Sequence, residues 1–304
     1  MRAYVGITDW DWYQLLRNQQ ELDEANFWQP SGSRSFRILK PGELFLFKLH
    51  SPRDFIVGGG LFAHFSLLPI SLAWEAFGIA NGAFDLMQMR LRVERYRRGK
   101  DKERDIDYTI GCILLERPFF FDEKQWIPVP KDWATNIVQG RTYDLSNEPG
   151  MSLWTKLQAA SEVPKAAVGP EHRYGDPVVT LPRLGQGSFR IVVTDAYNRR
   201  CAMTNERTLP ALEAAHIRPY SLHGEHIVEN GLLLRRDLHA LFDRGYITVT
   251  PELVIEVSRR IREEFENGRD YYRLHGTSIR GPANPLHYPS TDLLKWHNET
   301  LFRE

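Results

Sequence analysis

The stretch LEAAHIRPYSLHGEHIVENGLLLRRDLHALFD, residues 212–243, joins two short strand patterns through a turn-rich loop and then continues into a helix pattern. Its apolar positions are typical of a buried core, yet His216, Asn230, His239 and Asp243 interrupt them. Residues four apart in a helix lie on one face, so we expect the side chains of His239 and Asp243 to point the same way. The segment therefore predicts a strand, a hairpin and a helix that bring one imidazole near a histidine and carboxylate pair.

The residue types in this stretch allow two interpretations. The pair formed by His239 and Asp243 leaves coordination positions for water and phosphate oxygen, which suits Mg²⁺ or Mn²⁺ in phosphodiester cleavage and is too few protein ligands for a closed zinc site. A neutral His216 could accept a proton from water. Alternatively, His239 is a polar helix residue paired with Asp243, and His216 is an ordinary core or edge histidine. The combination of all four residues favours a catalytic site.

The composition sets limits on the class of protein. The chain has 304 residues, 42% of them hydrophobic, and equal numbers of basic and acidic residues. It can therefore bury real cores, but it does not bind polyanions through bulk charge. Because the N-terminal segment MRAYVGITDWDWYQLL carries acids and tryptophans where a signal peptide is apolar, and no run reaches the ~20 apolar residues of a membrane span, we expect a cytoplasmic protein. Two cysteines exclude a disulfide framework.

Changes in residue composition and pattern divide the chain into three parts. Residues 1–145 alternate short strand patterns with a few short helix patterns and predict a curled sheet or barrel, whereas 146–182 are rich in Pro, Gly and Ala and predict a linker. Residues 183–304 contain the quoted stretch followed by a helical extension, so the predicted class is α+β. A basic run at 90–104 is interpreted either as a solvated strand end and loop or as a rim that contacts phosphates.

The quoted stretch resembles the HNH nuclease family. The motifs that carry the resemblance are LEAAHIRP, NGLLLRRDLHALFDRG and ITV, preceded by GQGSFR and RRCAMT, and together they span about residues 180 to 260. They are most similar to the branch of that family found in bacterial restriction enzymes. The resemblance implies a ββα-metal fold and hydrolysis of DNA phosphodiester bonds.

The resemblance also implies a role for each site residue. His216 is the general base, and Asn230 fixes the hairpin and orients that base. Glu213 supports the site without contacting the ion itself. His239 and Asp243 hold the divalent cation, Mg²⁺ or Mn²⁺.

The chain departs from the family pattern at two places. Ala215 stands where many members have a further metal ligand, and only Cys201 is present where many have paired cysteines, so no structural zinc is expected. Candidate phosphate contacts are Arg183, Arg190 and Arg218, although each is equally compatible with an ordinary surface charge.

The segment NFWQPSGSRSFRILKPGELFLFKLHSPRDFIVGGGLF, residues 26–62, is similar in layout to EVE domains of the PUA superfamily. This resemblance implies a pocket that accepts a base flipped out of the duplex, with aromatic walls and polar groups that recognise the base edge. The alternative is that most of these rings are simply core, since 12% of the chain is aromatic. The residues singled out are Trp10, Phe27 and Trp28 as walls, and Asn26, Ser31 and His50 as edge contacts.

Together the two resemblances imply a modification-dependent restriction endonuclease that recognises methylated, hydroxymethylated or glucosylated cytosine in double-stranded DNA. Because one HNH site cuts one strand, a homodimer is expected for a double-strand break. Two alternatives stay open. One is an HNH nicking enzyme that recognises unmodified sequence, and the other is a catalytically silent DNA-binding regulator.

Overall fold

A computed structural model of the chain describes residues 1–33, 35–97, 106–160 and 184–304. These residues form two compact units, Met1–Ser188 and Phe189–Glu304. Within the described ranges, no helix combines the length and the apolar character needed to cross a lipid bilayer.

The first unit is built on one mixed sheet of seven strands in the described residues, in the order β2-β5-β4-β3-β1-β7, with β6 paired to β4. Strands β1 and β3 are parallel, and the other pairs are antiparallel. The elements of this unit are β1 (Arg2–Thr8), α1 (Trp10–Arg17), β2 (Glu24–Gln29), β3 (Leu44–Leu49), β4 (Phe55–Pro69), α2 (Ile70–Phe77), α3 (Leu86–Tyr96), β5 (Thr109–Phe120), β6 (Ile127–Pro128), β7 (Gly140–Asp144) and α4 (Gly150–Ala159).

Strand β3 shows why the middle of this sheet is apolar on both faces. Successive side chains of a strand point to opposite faces, so Leu44 and Leu46 enter one core while Phe45 and Phe47 enter the other. Strand β4 passes close to its neighbour at Gly58, where a Cβ atom would lie 2.2 Å from the Phe119 carbonyl oxygen. The sheet therefore has a core on each side.

The predicted α+β class and multistranded sheet are confirmed, but the described strands do not close into a barrel. The strands at the two ends of the pairing order, β2 and β7, do not pair with each other in the described residues. Strand β2 instead contacts a 3₁₀ helix, Gly78–Asn81, through hydrogen bonds from Asn26 and Trp28. Within the described residues, no further strand pairs with β2 at this edge of the sheet.

The region predicted as a linker, 146–182, begins with regular structure. Helix α4 occupies 150–159, and its Leu153 and Leu157 are buried in the core that also contains Leu44 and Leu46. Residues 161–183 lie outside the described ranges. The basic run at 90–104 is described as far as Arg97, and there Arg92 is buried and donates to the Gly82 carbonyl, so it is no phosphate contact.

The second unit contains a hairpin followed directly by a helix. Strands β8 and β9 are antiparallel, with His216 opposite Gly231 and Glu213 opposite Leu234, and α6 starts at the residue after β9. A second ribbon, β10 with β11, and the helix α9 pack behind α6. The elements that contribute to this unit are α5 (Gln186–Ala196), β8 (Leu212–His216), β9 (Gly231–Arg235), α6 (Arg236–Asp243), β10 (Ile247–Val249), β11 (Ile255–Val257), α7 (Arg260–Phe265), α8 (Arg269–Tyr272) and α9 (Thr291–Thr300).

Candidate active site

The first component of the site is the imidazole of His216 at the end of β8. Its ring stacks on Phe189, with ring centroids 3.9 Å apart and planes 13° from parallel. The strand residue opposite His216 is Gly231, where a Cβ atom would lie 3.2 Å from the Phe189 ring, so a glycine here leaves room for that ring. The ring of His216 is therefore fixed on one face by a packed aromatic side chain.

The surroundings of His216 keep its imidazole neutral. Burial, followed by the positive charges of His226 and His239, lowers its pKa to about 4, and the negative charge of Asp243 opposes this shift. At neutral pH the ring therefore has a lone pair with which to accept a proton. His239 and Asp243 therefore both contribute to the electrostatic environment of this ring.

The second component is a carboxylate, histidine, carboxylate chain on β8 and α6. Nδ1 of His239 lies 2.9 Å from Oε2 of Glu213, and Nε2 of His239 lies 3.3 Å from Oδ2 of Asp243. Burial disfavours the charged form of His239, but hydrogen bonds and charge from Asp243 and Glu213 outweigh burial and raise its pKa. Glu213 also pairs with Nε of Arg236 at 3.1 Å.

This donor set fits a divalent cation with few protein ligands. A ligating histidine is ordinarily oriented by a hydrogen bond from its other ring nitrogen to a carboxylate, and Glu213 makes that bond to His239. The remaining nitrogen and an oxygen of Asp243 then face each other. Within the described residues, no group of three or more His, Cys, Asp or Glu side chains is arranged to hold a metal. The position before His216 is Ala215, whose methyl side chain has no atom that can bind a metal.

Asn230 fixes the loop between β8 and β9. Its side chain is fully buried, accepts from the backbone N–H of Arg218 at 2.8 Å, and donates to the carbonyls of Arg218 at 3.0 Å and Glu225 at 2.9 Å. The N–H of Ile217 in turn donates to the Asn230 carbonyl at 2.9 Å. These bonds tie the start of the loop to its end, whereas the group bonded directly to the His216 ring is His226.

The candidate phosphate contacts are in three different situations. Arg218 is half-buried, donates to the Leu222 carbonyl at 2.7 Å and lies over the Trp296 ring at 5.2 Å, so its guanidinium is engaged inside the unit. Arg190 is half-buried on α5. Arg183 lies outside the described residues.

In the first unit, two of the predicted base-contacting residues share one face of β2. Asn26 is fully buried and donates to Oδ1 of Asn81 at 2.9 Å, while Nε1 of Trp28 donates to the Asn81 carbonyl at 3.1 Å. Oδ1 of Asn26 is buried and has no hydrogen-bond partner in the described part of the chain.

Trp28 belongs to a surface group that we call the aromatic-acid cluster, consisting of Asp9, Trp28, His50 and Tyr96. The rings of Trp28 and Tyr96 are 6.4 Å apart, and those of His50 and Tyr96 are parallel at 6.0 Å. The Tyr96 hydroxyl donates to Oδ1 of Asp9, which also lies 3.5 Å from Nε2 of His50. Burial, together with the bond to Asp9, raises the pKa of Tyr96. Three planar rings and one carboxylate therefore lie together.

The other three predicted base contacts lie elsewhere. Phe27 points to the opposite side of β2 and packs in the aromatic core, 4.6 Å from Phe45. Trp10 packs on Trp126 at 6.2 Å and carries the guanidinium of Arg53 over its ring at 4.1 Å. The hydroxyl of Ser31 lies 2.7 Å from that of Ser33 in the loop after β2.

The sequence interpretation missed several residues that lie beside the predicted ones in both units. In the second unit these are His226 and Tyr220, whose rings stack at 4.6 Å. A second histidine ten residues after His216 was the available signal for this pair. In the first unit, Asp9, Asn81 and Tyr96 come from segments far apart in the chain, and no local pattern marks them.

Behind the site, His297 of α9 is buried against α6 and β10. Its Nε2 donates to the Phe242 carbonyl at 3.1 Å, its Nδ1 accepts from the Thr248 hydroxyl at 2.8 Å, and its ring stacks on Phe242 at 3.8 Å. Burial lowers its pKa from 6.5 to about 4, against smaller opposing contributions from the Phe242 carbonyl and Asp243. The folded state therefore holds this imidazole neutral.

This pKa predicts that acid destabilises the fold. Between pH 6.5 and 4 the unfolded chain binds a proton at His297 that the folded chain does not. The contribution of neutral His297 to the free energy of unfolding is therefore complete above pH 6.5 and is lost as the pH falls to about 4. The loss amounts to about 3 kcal/mol. We expect the unfolding free energy from urea titrations at pH 7, 6, 5 and 4 to fall less steeply in His297→Gln, which keeps the amide donor to Phe242. Parallel curves for the two proteins would contradict the assignment.

Comparison with known proteins identifies the second unit. Residues 201–250 match the family model described as HNH endonuclease. This match covers β8, β9, α6 and β10, so this segment is similar to HNH endonucleases and supports a nuclease activity. No curated protein matches the chain.

A solved structure, named "Modification dependent TagI restriction endonuclease", is similar to this chain at 12% sequence identity. The similarity covers 93% of this chain and 77% of that one, with a TM-score of 0.28. A score of this size does not establish a shared fold over the whole length.

Proposed function

We propose that this protein is a divalent-metal-dependent DNA endonuclease that recognises a modified cytosine with its first unit and hydrolyses a phosphodiester bond with its second. The observation that carries the catalytic part is the neutral, partly buried His216 within electrostatic reach of the His239 and Asp243 pair. A proton acceptor and a cation site side by side are the two components that hydrolysis of a phosphodiester requires.

In this proposal the residues of the chain act as follows. His216 removes a proton from the attacking water, which its lowered pKa permits at neutral pH. Glu213 holds the His239 ring so that Nε2 faces Asp243, and Asn230 holds the loop that follows His216. A Mg²⁺ or Mn²⁺ ion held by His239 and Asp243 would supply positive charge to the phosphoryl oxygen and the leaving oxygen. The residues that these roles need, a neutral His216 and the pair of His239 and Asp243, are all present, which favours a nuclease over the silent regulator.

The aromatic-acid cluster is the proposed site of base recognition. Planar rings stack on a flipped base with about 1 to 3 kcal/mol each, which offsets the few kcal/mol lost when the base leaves the duplex. The carboxylate of Asp9, which the structure places beside the rings of His50 and Tyr96, can accept from the exocyclic amine of cytosine. Tyr96 of α3 lies within the basic run at 90–104, which supports DNA contact near this cluster.

The chemistry of the cluster favours a polar modification. A hydroxymethyl or sugar group adds hydrogen-bonding capacity that a methyl group lacks, and Asp9 and His50 offer polar partners at the surface. The test is cleavage of plasmids that carry unmodified, 5-methyl or 5-hydroxymethyl cytosine, with Mg²⁺ or Mn²⁺. We expect the hydroxymethylated plasmid to be cut fastest. Equal cutting of all three would remove modified-base recognition, leave the nuclease intact and favour the nicking enzyme that recognises unmodified sequence.

Trp28→Ala is expected to lower the ratio of modified to unmodified plasmid cleavage by about 10- to 100-fold, because it removes one stacking surface. Trp28→Phe keeps a ring and should retain most of that ratio. The matched control is Trp154→Ala, which removes a partly buried tryptophan from the core on the other side of the sheet. An unchanged ratio in a folded Trp28→Ala protein would contradict the placement of the base at this cluster.

One HNH site cuts one strand, so a double-strand break requires two copies or two successive encounters. We propose a homodimer on DNA as the form that cuts both strands. Sedimentation of the protein with a modified duplex tests this: two chains per duplex are expected, and one chain per duplex with only nicked product would contradict it.

A further inference from the structure

The loop between β8 and β9 places a second imidazole directly on the first. Nε2 of His216 and Nδ1 of His226 are 2.9 Å apart, a distance at which one nitrogen donates a hydrogen bond to the other. The His226 ring is itself stacked on Tyr220, at 4.6 Å and 6° from parallel. Its neighbour Glu225 is held by the amide of Asn230. His226 is therefore a fixed partner rather than a mobile loop side chain.

This bond restricts how His216 can act as a base. A neutral imidazole carries one N–H and one lone pair, and only the lone pair can accept a proton. If the proton of His216 lay on Nδ1, the lone pair on Nε2 would be occupied by an N–H of His226 and blocked from water. If the proton lies on Nε2, the bond to His226 is made by that N–H, and the lone pair on Nδ1 is free. Nδ1 of His216 has no hydrogen-bond partner in the part of the chain that the structure describes.

We propose that His226 is a positioning residue that fixes the ring and the tautomer of His216, so that Nδ1 of His216 is the atom that takes the proton from water. This inference rests on the proposed function of His216 as the base. When His216 gains the proton, its Nε2–H bond to His226 becomes charge-assisted and therefore stronger. The contribution of Asn230 to the base is then indirect, since its bond to the Glu225 carbonyl holds the residue next to His226.

The charged and titratable groups that act on His216 are His226 on the loop and His239 and Asp243 on α6. The latter pair would be engaged by the cation, so they are not available to fix the tautomer. Phe189 covers a face of the ring and bonds to neither nitrogen. His226 is thus the side chain placed to select between the two tautomers.

The test compares three variants at this position by single-turnover cleavage with Mn²⁺. His226→Ala is expected to slow the chemical step by about 10- to 100-fold at saturating DNA, because the base loses its orientation, with DNA affinity unchanged. Asn places its amide oxygen close to the position of Nδ1 and should restore most of the rate, whereas Gln places its amide further out and should not. The matched control, His223→Asn, changes an exposed histidine of the same loop that has a left-handed backbone, which Asn accepts.

A second readout does not depend on cleavage. In protein with ¹⁵N-labelled histidine, NMR is expected to show the proton of neutral His216 on Nε2 in the wild type, and a mixture of both tautomers in His226→Ala. A wild-type rate in His226→Ala, an equal loss in the Asn and Gln variants, or a proton on Nδ1 in the wild type would each overturn the proposal. If the wild type cuts no DNA, the proposed function fails, and the NMR result alone decides whether His226 sets the tautomer.

Discussion

His216→Ala is expected to slow DNA cleavage by about 10²- to 10⁴-fold, the range over which a positioned general base accelerates proton transfer. The physical reason is that the substitution removes the neutral imidazole without removing the cation pair on α6. The His216 ring packs on Phe189 and bonds to His226, so it offers little exposed surface for DNA to bind. We therefore expect the affinity for DNA to be nearly unchanged. Cleavage of a modified plasmid and fluorescence anisotropy of a labelled duplex measure the two quantities.

The comparison for this variant is His223→Asn, which should cut at the wild-type rate. The lowered pKa of His216 adds a further expectation: protonation of this base does not limit the rate until the pH approaches about 4. A His216→Ala protein that is folded and cuts at a normal rate would contradict the assignment of the base.

Asp243→Asn is expected to reduce cleavage at least about 100-fold at low Mn²⁺. Loss of a partner that merely orients a metal ligand costs about 10- to 100-fold in metal affinity or activity, and Asp243 is proposed as one of only two protein ligands. The amide keeps the shape of the side chain and removes its charge, so the defect should be relieved in part at high Mn²⁺. Rates measured across a Mn²⁺ titration give both quantities.

Two further variants make this titration specific. Glu213→Gln should show a smaller defect of the same kind, because Glu213 bonds to Nδ1 of His239 and not to the cation. Asp270→Asn changes a carboxylate that is 86% exposed on α8 and should have no effect. If added Mn²⁺ relieved His216→Ala as well as Asp243→Asn, the separation between base and metal site would be wrong.

The sequence predicted the second unit well because its signals are local. The spacing between His216, Asn230, His239 and Asp243 is set by two short strands and one helix turn, and the structure brings His239 and Asp243 together with Glu213 as that spacing requires. What it could not show is how the loop folds back. The contact between His216 and His226 depends on the bonds of Asn230, which no periodic pattern reveals.

The first unit was predicted less completely because its site is assembled from distant segments. Trp28 and His50 were identified from their loops, but Tyr96 reaches Asp9 across 87 positions of the chain, a contact without a local signature. Phe27 was predicted as a wall of the base pocket because it stands between Asn26 and Trp28 in the sequence. Strand alternation decides otherwise, because adjacent residues of β2 face opposite sides of the sheet.

Helix α4 was missed for a different reason. Its sequence, GMSLWTKLQA, follows Pro149 and has only a short apolar stripe, so composition pointed to a linker. Burial of Leu153 and Leu157 against the sheet stabilises the helix, and that contact is tertiary.

The central claim is that one imidazole and one cation flank the same phosphate. The most direct measurement is the anomalous scattering of Mn²⁺ in a crystal of His216→Ala bound to uncut DNA. We expect the Mn²⁺ peak between Nε2 of His239 and the carboxylate of Asp243, with the scissile phosphate between that ion and residue 216. An ion bound elsewhere, or a phosphate on the side of the ion away from residue 216, would contradict the account.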